Sequence, residues 1–128
     1  MSTLNVDALV GNTSANAITV RGEGTATTSL QQGLGKAWNN VTQGTSAIQD
    51  SYNISSISDD ATGRFTQNYT NNMSNDLFSV SGTCQNAGNI ATTGTFGSSA
   101  TQFQTVVTST ASANDYDDAC NSVHGDLA

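Results

Sequence analysis

A chain of 128 residues has room for one ordinary domain, and no window in it approaches the roughly 18 consecutive apolar residues that a membrane span requires. Its formal charge of −7 sets ten acidic residues against three basic ones, and Arg21, Lys36 and Arg64 stand far apart, which excludes nucleic-acid binding by a basic patch. Leu, Ile, Val and Phe make up only about 18% of the residues, a thin supply for a core, so neighbouring copies are expected to complete it.

In chain order, the start MSTLNVDALVG lacks the basic residues and apolar run of a secretory signal, and the chain is expected to be made without one. Thr3 to Asp7 alternates as a short strand, Gly11-Asn12-Thr13 breaks it, and Ala17 to Arg21 reads as a second strand with Ile18 and Val20 on one face. Together they predict an N-terminal arm or hairpin, with Gly22-Glu23-Gly24 as a joint, so that residues 1–24 form one part and 25–128 a single β domain. Thr25 to Leu30 is extended, and Leu30 to Gly35 has two glycines, enough to limit it to one helical turn. Ala37, Asn39 and Val41 share one face of the next strand, and Trp38 and Asn40 the other. Trp38 is the expected core anchor, because its area dominates what so few aromatics can bury.

Tyr52, Ile54 and Ile57 continue the apolar pattern, with a bulge or bend at Ser55-Ser56. Phe65, Gln67 and Tyr69 share a face, so the two aromatics point inward and Gln67 between them needs a partner. Leu77 to Thr83 returns as a strand with Phe78 and Val80 inside, Phe103, Thr105 and Val107 alternate in another, 111–118 is an acidic loop, and Ala119 to Val123 forms a last strand. Short strands joined by Gly, Asn and Ser turns, with no sustained 3.6-residue period, predict an all-β fold, a small antiparallel β-sandwich or barrel with an N-terminal extended arm or hairpin.

The stretch from Leu30 to Met73 also carries an ordered set of motifs. Lys36-Ala37-Trp38 is followed by a turn at Gly44-Thr45, by Ile48-Gln49-Asp50-Ser51-Tyr52-Asn53-Ile54-Ser55-Ser56-Ile57, by a turn at Asp59-Asp60-Ala61-Thr62-Gly63, and by an aromatic strand, Arg64 to Tyr69, that ends near Met73. This order resembles a β module of fibre-like and appendage structural proteins of marine bacteriophages, with weaker echoes at Leu4-Asn5-Val6-Asp7 and His124-Gly125-Asp126-Leu127-Ala128. In that pattern apolar residues follow the Trp, where this chain has Asn39 and Asn40. The resemblance implies a structural protein of a virion and a homotrimer.

The inventory for chemistry is short. Asp59 and Asp60, and Asp115, Asp117 and Asp118, are carboxylate groups in turn sequences, and neither stretch has the spacing of a calcium loop, so no metal site is assigned. Lone His124 has no nucleophile motif beside it, and Glu23 is the only Glu, which leaves no facing pair for glycoside cleavage. No catalytic residue and no cofactor are expected. Five N-x-[ST] sequons, at Asn12, Asn40, Asn53, Asn68 and Asn72, are about what the composition produces by chance. Cys84 and Cys120 are read as separate thiols in a chain that meets a reducing pool first, and their later oxidation to a disulfide stays open.

The expected function is therefore a bacteriophage virion structural protein, surface-displayed, a tail-fibre or appendage component contributing to host attachment. Its partners would be its own copies, other tail or capsid proteins, and host surface glycans. Two alternatives stand beside it. One is a capsid decoration protein whose Met1 to Val20 arm adds a strand to an adjacent subunit. The other is a carbohydrate-binding β module, which would need a solvent-facing row of aromatics.

Overall fold

The computed structural model describes residues 3–14, 17–21, 24–85, 89–107, 110 and 112–128, and for residues 89–96, 106 and 107 it describes the backbone alone. The chain is all-β and divides into two units, Met1–Leu34 and Gly35–Ala128. In the first unit, β1 (Thr19–Arg21) pairs antiparallel with β2 (Thr27–Ser29), and a single helical turn, α1 (Leu30–Gly33), follows with the Ser29 hydroxyl capping Gln32 N at 3.4 Å. The hairpin is thus not the one expected from Thr3–Asp7, which forms no strand. The break between units falls after Leu34 rather than after Gly24, because Thr27–Ser29 finds its backbone partners in β1. Gly22 and Glu23, two of the three residues of the expected joint, lie outside the described residues. No described side chain of this unit is buried, and Leu4, Val6, Leu9, Val10 and Val20 are exposed.

The second unit is a sandwich of two antiparallel sheets. One has the order β4 (Ala47–Tyr52), β3 (Ala37–Thr42), β11 (Ala119–His124), β7 (Ser79–Cys84). The other has β9 (Ala100–Val107) at its centre, with β6 (Arg64–Tyr69) and then β5 (Ile54–Ala61) along one edge, the two-residue β10 (Ser112–Ala113) continuing that edge, and β8 (Asn89–Phe96) along the other. The 111–118 segment expected to be loop therefore contributes β10 to the sheet. The tail folds back beside Asn72–Ser74, with a bridge between Met73 and Leu127, and Gly125 lies so close to Phe78 that a Cβ there would sit 2.6 Å from the Phe78 Cβ.

Strand period explains the core. Four strands send every second residue inward: Ala37, Asn39 and Val41 from β3, Ala119, Asn121 and Val123 from β11, Phe65, Gln67 and Tyr69 from β6, and Thr101, Phe103 and Thr105 from β9, all buried. The apolar members form two clusters. Around Val41, Phe65, Phe103 and Ala119, the two phenyl rings stack at 5.4 Å; around Ala37, Tyr69, Met73 and Val123, the Phe78 ring meets Tyr69 edge-on at 6.3 Å.

A layer of polar side chains separates the clusters. Asn121 Nδ2 donates to Asn39 Oδ1 (3.2 Å), Asn39 Nδ2 to Gln67 Oε1 (2.5 Å), and Gln67 Nε2 to the Tyr69 hydroxyl (3.3 Å), which lies 2.6 Å from Thr101 Oγ1. The partner that Gln67 requires is thus an amide of the opposite sheet. At one end of the sandwich, Gln43 Oε1 accepts from Thr105 Oγ1 (2.9 Å) and Tyr116 N (3.0 Å), tying the turn after β3 to the far sheet.

The segment expected as one strand from Ile48 to Ile57 is two strands in two sheets. Asn53 makes the corner, in the left-handed region at φ 59°, where Asn is tolerated better than most residues. Its side chain fixes the bend by donating to Lys36 O and Asn71 O, both at 3.0 Å, and accepting from Asn71 N at 2.7 Å. A register shift between Ile54 and Ser56 places the expected bulge directly after it. At the hairpin between β5 and β6, Gly63 has φ 68°, and a Cβ there would lie 2.6 Å from both Asn114 N and Thr105 O, so the turn is restricted to glycine twice over.

Two measurements test the polar layer. Gln67→Leu should cost about 1–3 kcal/mol for each amide or hydroxyl it orphans, and Asn39→Leu/Gln67→Leu should cost less than the sum of the single changes, as read from denaturant midpoints. Burial pushes the Tyr69 phenol above its ordinary value of 10.0, partly offset by its hydrogen bonds to Thr101 and Gln67. The folded chain then holds this proton more tightly than the unfolded chain. Its contribution is complete below pH 10 and is lost as pH rises beyond, a loss that should shrink in Tyr69→Phe.

Candidate functional site on the outer face of the four-stranded sheet

The same alternation that buries Ala37, Asn39 and Val41 turns Trp38 to the outside, where it is 41% exposed. This corrects its expected role as core anchor. The reason lies in volume and pairing: the inner side of Ala37 is already filled by Tyr69, Met73 and Val123, and β3 is held in phase with β11, whose small residues face the same way. Of the aromatics after it, Phe65 and Tyr69 are buried as expected, while Tyr52 stands outside beside Trp38 at 53% exposure.

Strand register arranges the outer face in two rows. Tyr52, Trp38, Ser122 and Ser81 lie directly across from one another on β4, β3, β11 and β7, and Asp50, Asn40, Cys120 and Thr83 form the next row. One end of each row carries large or charged groups, and the other carries small ones. The step in height leaves an open depression of about 430 Å³ between Trp38 and the Ser81–Thr83 strand, floored by Cys120 and Ser122. Ser81 and Ser122 hydroxyls bond to each other at 2.9 Å. Asn40 Nδ2 makes a long bond to Asp118 Oδ1 at 3.4 Å, and Asn40 Oδ1 has no partner. Neither row contains a basic residue.

The candidate metal carboxylates do not converge. Asp60 Oδ2 accepts from Thr66 Oγ1 (2.6 Å) and Gln102 Nε2 (2.7 Å), Asp115 Oδ1 caps Gly63 N (2.5 Å), and the Asp117 carbonyl holds Thr42 Oγ1 and Gln49 Nε2. Asp59 and His124 are exposed, on β5 and at the end of β11, and Glu23 lies outside the described residues. Among the described residues, no group of three or more His, Cys, Asp or Glu side chains is placed to hold a metal ion.

The two cysteines sit on neighbouring strands with opposite faces. Cys84 lies across from inward-facing Ala119 and packs against the Phe65 cluster, whereas Cys120 lies across from outward-facing Thr83 and lines the depression. Both are free. Side chains on opposite faces of a sheet cannot meet the geometry of a disulfide without breaking the pairing. Burial raises both thiols above their ordinary range, assisted at Cys84 by Cys120 and at Cys120 by Asp118.

The pairing of Tyr52 with Trp38 is the feature that sequence reading misses, because the corner at Asn53 hides it. Period 2 counted through Asn53 puts Tyr52 and Ile54 on one face, although they belong to different sheets. No family model, curated protein or solved structure matches the chain.

Thiol titration without reductant should find two free thiols per chain. Their labelling should be slow near neutral pH and accelerate as pH rises, with Cys120→Ser removing the faster phase. A titre near zero that reductant restores to two would overturn the placement of these side chains.

Proposed function

We propose that this chain is a bacteriophage virion structural protein, a homotrimer displayed on the particle surface as a tail-fibre or appendage component that contributes to host attachment. The order of motifs from Lys36-Ala37-Trp38 through Asp50-Ser51 and Thr62-Gly63 to the Arg64–Tyr69 strand supports the lineage by resemblance.

The structural observation that carries the reading is the contrast between the two units. Gly35–Ala128 has its own two-cluster core, whereas the described part of Met1–Leu34 buries no side chain and leaves Leu4, Val6, Leu9, Val10, Val20 and Leu34 exposed. Exposed aliphatic surface of this kind gains about 25 cal/mol for each Å² removed from water by a partner. A coreless segment for joining copies beside a self-sufficient sandwich for display is the division of labour that an attached surface protein uses.

A second reading, a free carbohydrate-binding β module, is favoured by one observation: Trp38 and Tyr52 face solvent side by side.

Purified virions separate these readings by copy number. A tail or appendage part should be present in low copy as a multiple of three, a decoration protein in proportion to the capsid subunits, and a free module not at all. In solution, the full chain should sediment as a trimer, and Leu4→Asp/Leu9→Asp should sediment as a monomer with its sandwich still folded. A wild-type monomer at micromolar concentration would overturn the assembly reading.

A further inference from the structure

We propose that the outer face of the four-stranded sheet binds a neutral, hydroxyl-rich glycan, with Trp38 and Tyr52 as its stacking platform and the depression beside Trp38 as the seat for a sugar unit. The proposal rests on the reading of the chain as an attachment protein and names the ligand class of that face.

Three features select this class. The first is the platform. Trp38 and Tyr52 are directly opposed on adjacent strands, so their side chains start about 4.5–5.5 Å apart at Cβ and project from the same face of the sheet. Aromatic faces carry negative charge density, and the axial C–H groups of a pyranose present a weakly positive, apolar patch of ring size. A purely aliphatic ligand would gain from the rings and lose at the hydroxyls and amide beside them.

The second feature is the set of polar groups within reach. Ser81 and Ser122 satisfy each other at present, and each hydroxyl retains acceptor capacity. Asn40 lines the depression with its Oδ1 unpartnered but shielded from solvent, so a ligand hydroxyl donates to it only after the amide turns outward, and the bond this movement gives up is the long one to Asp118. Asp50 and Asp118 flank the second row as further acceptors.

Charge is the third. With two carboxylates at the face, no basic residue in either row and a net charge of −7, an anionic ligand such as a sialylated or sulfated glycan, a phosphate or a nucleic acid is repelled. Neutral hexoses and N-acetylhexosamines remain. The dimensions agree, since a depression of about 430 Å³ holds one or two sugar units and is open enough for the chain of a polysaccharide to continue past it.

Trp38 is the only Trp, so its fluorescence reports on this face alone. The full-length chain should be applied to an array of neutral hexose and N-acetylhexosamine oligosaccharides printed beside sialylated and sulfated ones, and the retained ligands titrated against Trp38 emission. The expected result is retention on neutral glycans only, a blue shift on binding, about tenfold weaker binding in Tyr52→Ala, and loss of array retention in Trp38→Ala. Both side chains are half-exposed, so the melting temperatures of the variants should stay close to wild type. No retention on any neutral glycan overturns the proposal, as does retention unaffected by Tyr52→Ala and Trp38→Ala. Trp38 shielded from acrylamide in the free protein and released on dilution also overturns it, because a second copy would then cover the face. Copy number in virions is independent of these outcomes. A chain counted in virions but silent on the array sinks the glycan alone, and one that binds the array but is absent from virions sinks the virion reading alone.

Discussion

The hydrogen bond between Asn39 and Gln67 sets the register of the whole sandwich. It crosses from one sheet to the other in the middle of the core, and each partner is tied to a second polar group of its own sheet, Asn121 on one side and Tyr69 on the other. Buried amides are costly when unpaired and contribute only about 1 kcal/mol net when paired, so this layer adds less stability than two packed leucines would. Its effect is on uniqueness. A slip of β3 by one residue would carry Asn39 to water, orphan Gln67 and drive Trp38 into a space already filled by Tyr69, Met73 and Val123. The alternatives are penalised more than the native arrangement is rewarded. A chain with so few large aliphatic residues thereby obtains one structure from a modest core.

The outer face follows from that lock. Once Asn39 must point inward, Trp38 and Asn40 must point outward, and β11 in phase with β3 presents Cys120 and Ser122. Trp38 is in this sense exposed by the interior. The corner at Asn53 has a second consequence: by sending β5 to the other sheet it frees β4 to end at Tyr52, across from Trp38 and with no further residue of that strand to cover it. The aromatic pair is produced by two constraints that lie elsewhere, an amide bond in the core and a left-handed asparagine at a sheet corner.

Much of this was legible in the sequence, and the illegible part has physical causes. Period 2 identifies β3, β6, β9 and β11, and the requirement that Gln67 find a partner between two aromatics follows from burial alone. Phase is the harder problem. In Ala37-Trp38-Asn39-Asn40-Val41 each face carries a polar residue, so hydrophobicity favours the face with Trp38. What reverses the choice is a pairing with residues 28 and 82 positions away, which no local pattern reveals. The corner is hidden for the opposite reason. Asn53 lies between Tyr52 and Ile54, which alternate as neighbours in one strand would, and only its positive φ and its bonds to Lys36 and Asn71 show that the strand has ended. In the N-terminal unit β1 and β2 fall within the strand expected at Ala17–Arg21 and the extended run Thr25–Leu30; what local alternation does not reveal is that these two pair with each other, while Thr3–Asp7 alternates equally well and forms no strand.

The apolar surface that the chain leaves exposed is of two chemical kinds, and the difference bears on what each would meet. In Met1–Leu34 it is aliphatic: Leu4, Val6, Leu9 and Val10 offer no direction to a partner, and any complementary apolar surface serves, including the same segment of another copy. In the two rows on the outer face of the four-stranded sheet it is aromatic and is bordered by hydroxyl, amide and carboxylate groups fixed by strand register. Burial against an aliphatic partner would strand those groups, which makes such a partner a poor match for this face. A surface of the first kind suits assembly, where area decides affinity and copies are abundant. One of the second kind suits recognition, because its polar border rejects partners that cannot return a hydrogen bond for each one displaced.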